Sequence, residues 1–327
     1  FFKLLPVALL GFIVSGYDKT ERNQLLEAIP LSAAVNGVLA YGLSFIPFLS
    51  NYLLVAERLG GFFQSPNAFA VFCLAGIVIL LTAEKVDLKS WIITAVLVVV
   101  IFLTGSRTVF IFLVLTVIAF FFTLKNKKLK RNILIIFGGM VLISIAAVFI
   151  TDSVQTVGRF LTISLESSTF LGRILYYLDA LPVILKHPFG LGYYGYYFSQ
   201  GTFQTGVYSV AFVHNSALQF LLDVGWVPAL AFIFVIGASF FSKKSDLRQK
   251  LLLFTVFGHS LFDFDLEFVC VFFVIILALN YDLYKQISFK PNAILVSAIA
   301  GVLILTSVYF GFVNSMYLLG KYEAVEK

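Results

Sequence analysis

Charged side chains make up only 12% of this 327-residue chain, and the reactive or bulky types are rarer still: three His, two Cys, two Met and two Trp. An ordinary soluble domain carries about 25% charged residues. So little charge, beside 60% hydrophobic and 17% aromatic residues, excludes a soluble globular protein and predicts an integral membrane one. Cys73 and Cys270 each stand alone in an apolar run with no Cys or His at metal-ligand spacing, which leaves them as core or lipid-facing residues. Acidic residues are outnumbered 17 to 23, a net charge of +6. In a soluble protein that surplus would point to a polyanion; here the basic residues sit in short loops between apolar runs, so they report orientation and no nucleic-acid partner. The chain shows no internal repeat. It opens Phe1-Phe2-Lys3 without Met and enters an apolar run at once, which reads as a fragment of a longer protein.

What is there is a succession of apolar runs of roughly 17 to 25 residues, each long enough to cross about 30 Å of hydrocarbon as a helix. The expectation is an all-α polytopic membrane protein of about ten spans, a single domain over 1–327, with one large external loop at 151–215 containing short helices. Residues 17–24 (YDKTERNQ) read as a polar connection between a first span at 4–16 and a second apolar segment at 25–49. Ser65 as cap and Pro66 in the first turn predict a helix start, with Asn67 at its mouth. Thr104-Gly105-Ser106-Arg107 is a tight turn between two long apolar runs, so Arg107 opens the next span. Further spans are expected at 132–150, 226–241, 251–263, 268–284 and 292–314. The clusters at 125–131, 243–250 and 285–290 are cytoplasmic by the positive-inside rule, which sends Arg58, Arg107, the long loop and Asp263 to Glu267 outside.

On that outer side several residues admit two readings. Arg107 and Arg58 serve either as interfacial anchors or as anion-binding guanidinium groups whose planar fork matches phosphate oxygens. Arg173, Tyr177 and Leu181 share one helical face at intervals of four, and Pro182 need not end that helix before His187-Pro188 does. Gly190, Gly192 and Gly195 alternate with Tyr193, Tyr194, Tyr196 and Tyr197, but with neither a preceding strand nor a Walker-type Lys they do not make a phosphate cradle. Those tyrosines suit sugar rings or interfacial packing. His214 is either structural or a general base, with Asn215 beside it. His259 and Asp263, four apart on a helix, read as a hydrogen-bonded couple, a proton relay or half a metal site; no third ligand is apparent, so no metal is expected.

The ordered set Arg58-Leu59-Gly60-Gly61, Ser65-Pro66-Asn67, Thr104-Gly105-Ser106-Arg107, Gly172-Arg173, His187-Pro188-Phe189-Gly190-Leu191-Gly192 and His214-Asn215 resembles the O-antigen ligase and O-antigen polymerase superfamily over about residues 50–285. That resemblance implies a bacterial membrane glycosyltransferase of the GT-C type in the cytoplasmic membrane, with its active site on the extracytoplasmic face. Its donor is an undecaprenyl diphosphate-linked oligosaccharide, its acceptor a glycan hydroxyl, and it needs no nucleotide sugar. It further implies that Arg107 and Arg173 hold the donor diphosphate while His214 activates the acceptor, with Arg58, Asn67, Tyr177 and Asn215 assigned to substrate binding. Metal-independent inversion follows if fixed guanidinium groups stabilise the leaving group opposite a base. The span at 292–314 departs from the ligases, which typically end in the cytoplasm. Polymerase is the adopted reading; ligase, or a polytopic transporter or flippase of lipid-linked glycan, is the alternative. A scaffold would give no reason for Arg58, Arg107, Arg173 and His214 to share a face.

Overall fold

The computed structural model describes residues 4–123, 127–150 and 168–283, with isolated positions between 297 and 309. The chain falls into two compact units, 1–283 and 284–327. The expected span at 292–314 and residues 151–167 of the long loop lie wholly or mostly outside the described residues. Among those described, the fold is helical apart from one two-residue antiparallel pairing of Leu54–Val55 with Arg58–Leu59.

The centre of the first unit is the helix Pro66–Leu81 (α4), buried at every residue except Asn67 and Leu80. A helix apolar all round has no solvent face to offer and must be enclosed by others. It starts as its sequence predicts, with Pro66 in the first turn and the Ser65 hydroxyl accepting from Ala68 N at 3.4 Å. Lys19–Leu43 (α2) and Leu88–Thr104 (α5) enclose it. Their close crossings are made at small residues: a Cβ on Gly76 would stand 2.9 Å from Leu97 and 3.2 Å from the Pro30 backbone, and one on Gly37 would strike Val100. Gly105, at φ 58°, ends α5 and turns the chain at once into Arg107–Thr123 (α6). The helices Lys127–Ile150 (α7) and Trp226–Phe241 (α11) flank this core, and Val269–Ala278 (α13) packs within it.

Between α11 and α13 runs a helix (α12) that is not uniform: Leu247–Leu252 is α-helical, Leu253–Phe257 is a π turn, and Gly258–Ser260 is α-helical again. Gly258 lets the Phe112 ring of α6 approach, since a Cβ there would lie 2.9 Å from it.

The helices α4, α12 and α13 run between two polar ends. At one end Arg248 Nε donates to Thr82 Oγ1 at 3.1 Å, Gln249 Nε2 to the Leu279 carbonyl at 3.2 Å, and Asn280 Nδ2 to Ser245 Oγ at 2.8 Å. Lys19 pairs with Asp246 at 2.9 Å in the same place. This corrects the reading of 17–24 as a connection. Asp18 and Glu21 form a reciprocal capping box that starts α2 at Lys19. Arg22 is 4% exposed, its guanidinium hydrogen-bonded to the Tyr17 carbonyl, 5.0 Å from the Tyr281 ring centroid and 3.8 Å from Asp282. The apolar segment expected to run on to 49 breaks after Leu43, and Pro47–Leu53 (α3) is a separate helix.

Among the described residues one helix, α2, is long and apolar enough to cross a membrane by length and composition alone. The helices α4, α5, α6, α11 and α13 are shorter apolar helices of 10–17 residues. At the other polar end stand Asn67, the 104–107 turn and Asp263.

Candidate active site

The described part of the long loop is a small helical cap with its own core. Ser168–Lys186 (α8) packs Ala180, Val183 and Ile184 against Tyr196 of the short helix Gly195–Ser199 (α9), Val213, and Leu222 of Ser216–Val224 (α10). Pro182 lies inside α8 without ending it, and His187 follows exposed at its C-terminus. The glycine-rich stretch is a backbone splice. Leu191 N donates to the Leu222 carbonyl at 2.6 Å, Gly192 N to Asp223 O at 3.1 Å, and Trp226 N to Pro188 O at 2.9 Å. Gly190, at φ 78°, leaves no room for a side chain: a Cβ would meet Asp223 O and Gly225 N at 2.7 Å each. Gly225, at φ 83°, would run its Cβ into the Pro188 carbonyl. Close backbone approach, not anion binding, explains these two positions.

The cap presents one face of α8 to the polar end of the bundle, and the contacts converge on Asp263. Its Oδ1 lies 3.0 Å from His214 Nδ1 and accepts from Phe264 N at 2.9 Å. Its Oδ2 accepts from Asn67 Nδ2 at 2.5 Å and from Arg173 at 3.2 Å. Its carbonyl accepts from Ser216 N at 3.1 Å and Ser216 Oγ at 2.9 Å. The side chain is 4% exposed. Burial alone pushes a carboxyl up, but here the hydrogen bond and charge of His214, with the Arg173 charge, outweigh it and hold Asp263 well below the usual carboxylate range. Asp265, two residues on, is driven the other way by burial.

An ionised Asp263 can only accept, so the His214 Nδ1 that faces it carries the proton and Nε2 is left with its lone pair. The His214 ring is 26% exposed on its side chain, held edge-on to Phe264 at 4.8 Å between centroids. Its backbone is in the left-handed region at φ 55°, a conformation costing a non-glycine residue on the order of 1–3 kcal/mol. Two bonds hold it there: Tyr177 donates its hydroxyl to the His214 carbonyl at 2.6 Å, and the preceding Val213 N donates to Gln219 Oε1 at 3.0 Å. Burial pushes the Tyr177 phenol up to about 12, so it stays a neutral donor.

A second line of contacts ties the bundle to this centre. Arg58 donates from Nε to the Thr104 carbonyl at 2.7 Å and from its terminal nitrogen to Asn67 Oδ1 at 2.6 Å. Thr104, Arg58, Asn67, Asp263 and then both Arg173 and His214 therefore form one connected network. Arg107 opens α6 immediately beyond the turn that Arg58 grips. Asn215 caps α10, its Oδ1 accepting from Ala217 N and Leu218 N at 3.0 Å each.

The pairing expected for the third histidine is different. Phe262 N closes a turn onto His259 O, so the helix ends before it can set Asp263 one turn above His259. His259 Nδ1 instead pairs with Asp265 Oδ2 at 2.6 Å, and Asp263 reaches across to His214. Both members are buried, and His259 Nε2 and Asp265 Oδ1 find no hydrogen-bond partner among the described residues. No group of three or more His, Cys, Asp or Glu placed to hold a metal occurs among the described residues.

Residues 92–233 match the family model described as O-antigen ligase. The match bears out the superfamily resemblance carried by the order of motifs. It takes in Arg107, Arg173 and His214 and ends before Asp263. No curated protein and no solved structure matches the chain.

Proposed function

We infer that this chain, whose residues 92–233 carry the O-antigen ligase match, transfers glycan from an undecaprenyl diphosphate-linked donor to a sugar hydroxyl in surface polysaccharide biosynthesis. The observation that carries the reading is the His214–Asp263–Arg173 arrangement at one end of the helical bundle. In this reading the helices form about ten spans of the bacterial cytoplasmic membrane and the site faces outward, away from the basic stretch at 243–250.

The chemistry is a displacement at the anomeric carbon. His214 Nε2 takes the acceptor hydroxyl proton as the new C–O bond forms. The bond from the anomeric carbon to the donor phosphate oxygen breaks, and the undecaprenyl diphosphate leaves with the electron pair. Asp263 holds the imidazole and stabilises its charged form. Arg173, one arm of which is on Asp263, and Arg107 neutralise the departing diphosphate. A base on one side of the sugar and guanidinium groups on the other give inversion.

The donor's lipid has a place to lie. An apolar groove of 470 Å³ starts at Phe102 and Phe110, one turn from Arg107, and descends past Leu113 and Val117 to Phe137 and Gly138 of α7. A Cβ on Gly138 would meet nothing within 4 Å. Glycine costs a helix interior roughly 0.5–1 kcal/mol relative to alanine, so Gly138→Ala is expected to be harmless or mildly stabilising. Gly138→Leu fills the groove and is expected to raise the donor KM roughly tenfold per 1.4 kcal/mol of lipid contact displaced. Unchanged donor affinity in Gly138→Leu removes the groove from the account.

Arg107→Lys and Arg173→Lys keep the charge and lose the bidentate fork. Each is expected to weaken donor binding and turnover while the protein still inserts, measured by donor affinity and transfer rate in detergent; near-normal turnover in both reduces these residues to anchors. The reading as a whole is tested by incubating purified protein with a defined lipid-linked oligosaccharide. Growth of the chain means polymerase, the adopted reading. Transfer to a different acceptor means ligase, the second reading, which the description of the matched family favours. Movement of the lipid across vesicles without transfer means a transporter and defeats both.

A further inference from the structure

The cap helix α8 has one face that neither its own core nor the site uses. Leu171, Ile174, Leu178, Leu181 and Leu185 recur at spacings of three and four and are 52%, 38%, 59%, 46% and 70% exposed. At 3.6 residues per turn they form a single apolar stripe. The opposite face, with Ala180, Val183 and Ile184, is the one that packs on the cap core, while Arg173 and Tyr177 lie on the flank toward Asp263 and His214. We propose that α8 lies along the outer membrane surface with this stripe seated in the headgroup–acyl boundary, and that it is not a helix of a water-exposed loop.

Three observations select lipid as the occupant. The stripe is continuous with a face that the composition already assigns to lipid: Phe189, 92% exposed, has its backbone against Gly225 and Trp226, where α11 begins, and α11 carries on outward with Val227, Leu230 and Phe234 at 80%, 56% and 71%. The join is made by Trp226, whose indole N–H donates to the Ile184 carbonyl at 2.8 Å, an aromatic with a polar handle of the kind that collects at membrane boundaries. The charge pattern also fits an anionic lipid surface. The one acidic side chain of α8, Asp179, is turned inward, 5% exposed, accepting from Thr205 N, Thr205 Oγ1 and Tyr208. The exposed charge near the stripe is Lys186, at the C-terminal end where a cation can reach the headgroups.

Seated so, α8 holds Arg173 at headgroup depth, where the diphosphate of a lipid-linked donor lies. That consequence rests on the function proposed above; the seating itself does not. The experiment therefore uses no substrate. In a Cys270→Ser background, with Cys73 buried, single-cysteine variants Leu178→Cys, Leu185→Cys, Leu230→Cys and Thr202→Cys are labelled with bimane and reconstituted in phosphatidylcholine–phosphatidylglycerol vesicles. Brominated acyl chains and aqueous iodide serve as quenchers. Bimane at 178 and 185 is expected to be quenched by the brominated lipid to the same degree as at 230 and to be protected from iodide, while Thr202→Cys shows the reverse. Iodide quenching at 178 and 185 equal to that at 202 overturns the proposal in favour of a water-exposed loop. Protection from both quenchers also overturns it, since it means that a second copy or another protein covers the stripe.

Discussion

His214→Ala is expected to slow single-turnover glycan transfer by roughly 10²- to 10⁴-fold, the contribution of a positioned general base, and to leave donor binding intact. An alcohol is too weakly acidic to attack unaided, and the imidazole is the group at the site whose lone pair is directed outward by an anionic partner behind it. Donor affinity survives because Arg173 is held by Asp263 independently of the ring. His187→Ala, at an exposed turn, is expected to behave as wild type. His259→Ala is expected to lose stability, because it strips a buried carboxylate of its partner. Wild-type turnover in His214→Ala removes the base from the mechanism; a folded but inactive His259→Ala moves it to the other buried pair.

Asp263→Asn is expected to cost activity on a similar scale, on the order of 10²- to 10⁴-fold, with little change in fold. The amide keeps the shape but not the charge, so the tautomer of His214 is no longer enforced and its charged form is no longer stabilised. Asp263→Ala is a different experiment. It leaves Arg173, His214 and Asn67 facing an empty centre, and loss of one partner of a buried pair costs up to about 3–5 kcal/mol. The pH dependence separates charge from shape. Because the folded protein holds Asp263 below the ordinary carboxylate range, its ionised form contributes stability that is fully present above about pH 4 and fades as pH falls through the folded value. The melting-temperature gap between wild type and Asp263→Asn is therefore expected to be constant from pH 5 to 8 and to narrow below pH 4. A gap that widens under acid contradicts an ionised Asp263. The same reasoning assigns any loss of transfer rate between pH 5 and 8 to protonation of the base and not to Asp263.

Much of this was legible in the residues. The capped start at Ser65-Pro66, the Gly105 turn before Arg107 and the common face of Arg173 and Tyr177 each depend on local rules that need only neighbours in sequence, and each is found in the fold. Two kinds of feature were not legible. Where burial comes from distant partners, local charge misleads: the capping box at Asp18 and Glu21 was written in the sequence, but Arg22 looked like a loop residue because Tyr281 and Asp282 are some 260 positions away. Where a spacing rule presupposes a regular helix, it fails at the helix end: His259 and Asp263 are four apart, yet the chain leaves the helix after Ser260 and Asp265 takes the imidazole. Asp263 was visible as an acid in an outer turn, but nothing local marks its link to His214, 49 residues earlier.

The π turn at Leu253–Phe257 carries a consequence of its own. A π turn holds one residue more than an α turn over the same rise, and each residue advances an α-helix by about 100°. His259 therefore emerges on a different side of its helix than it would if the five residues were α-helical, and the acidic turn that follows is aimed accordingly. Losing a single residue here would restore a regular helix, leave its basic end where it is, and swing the bearing of Asp263 away from His214. The bearing of the reacting carboxylate is thus set by an insertion in a helix that never touches the substrate, so a length change of one residue can alter catalysis without re-threading the bundle.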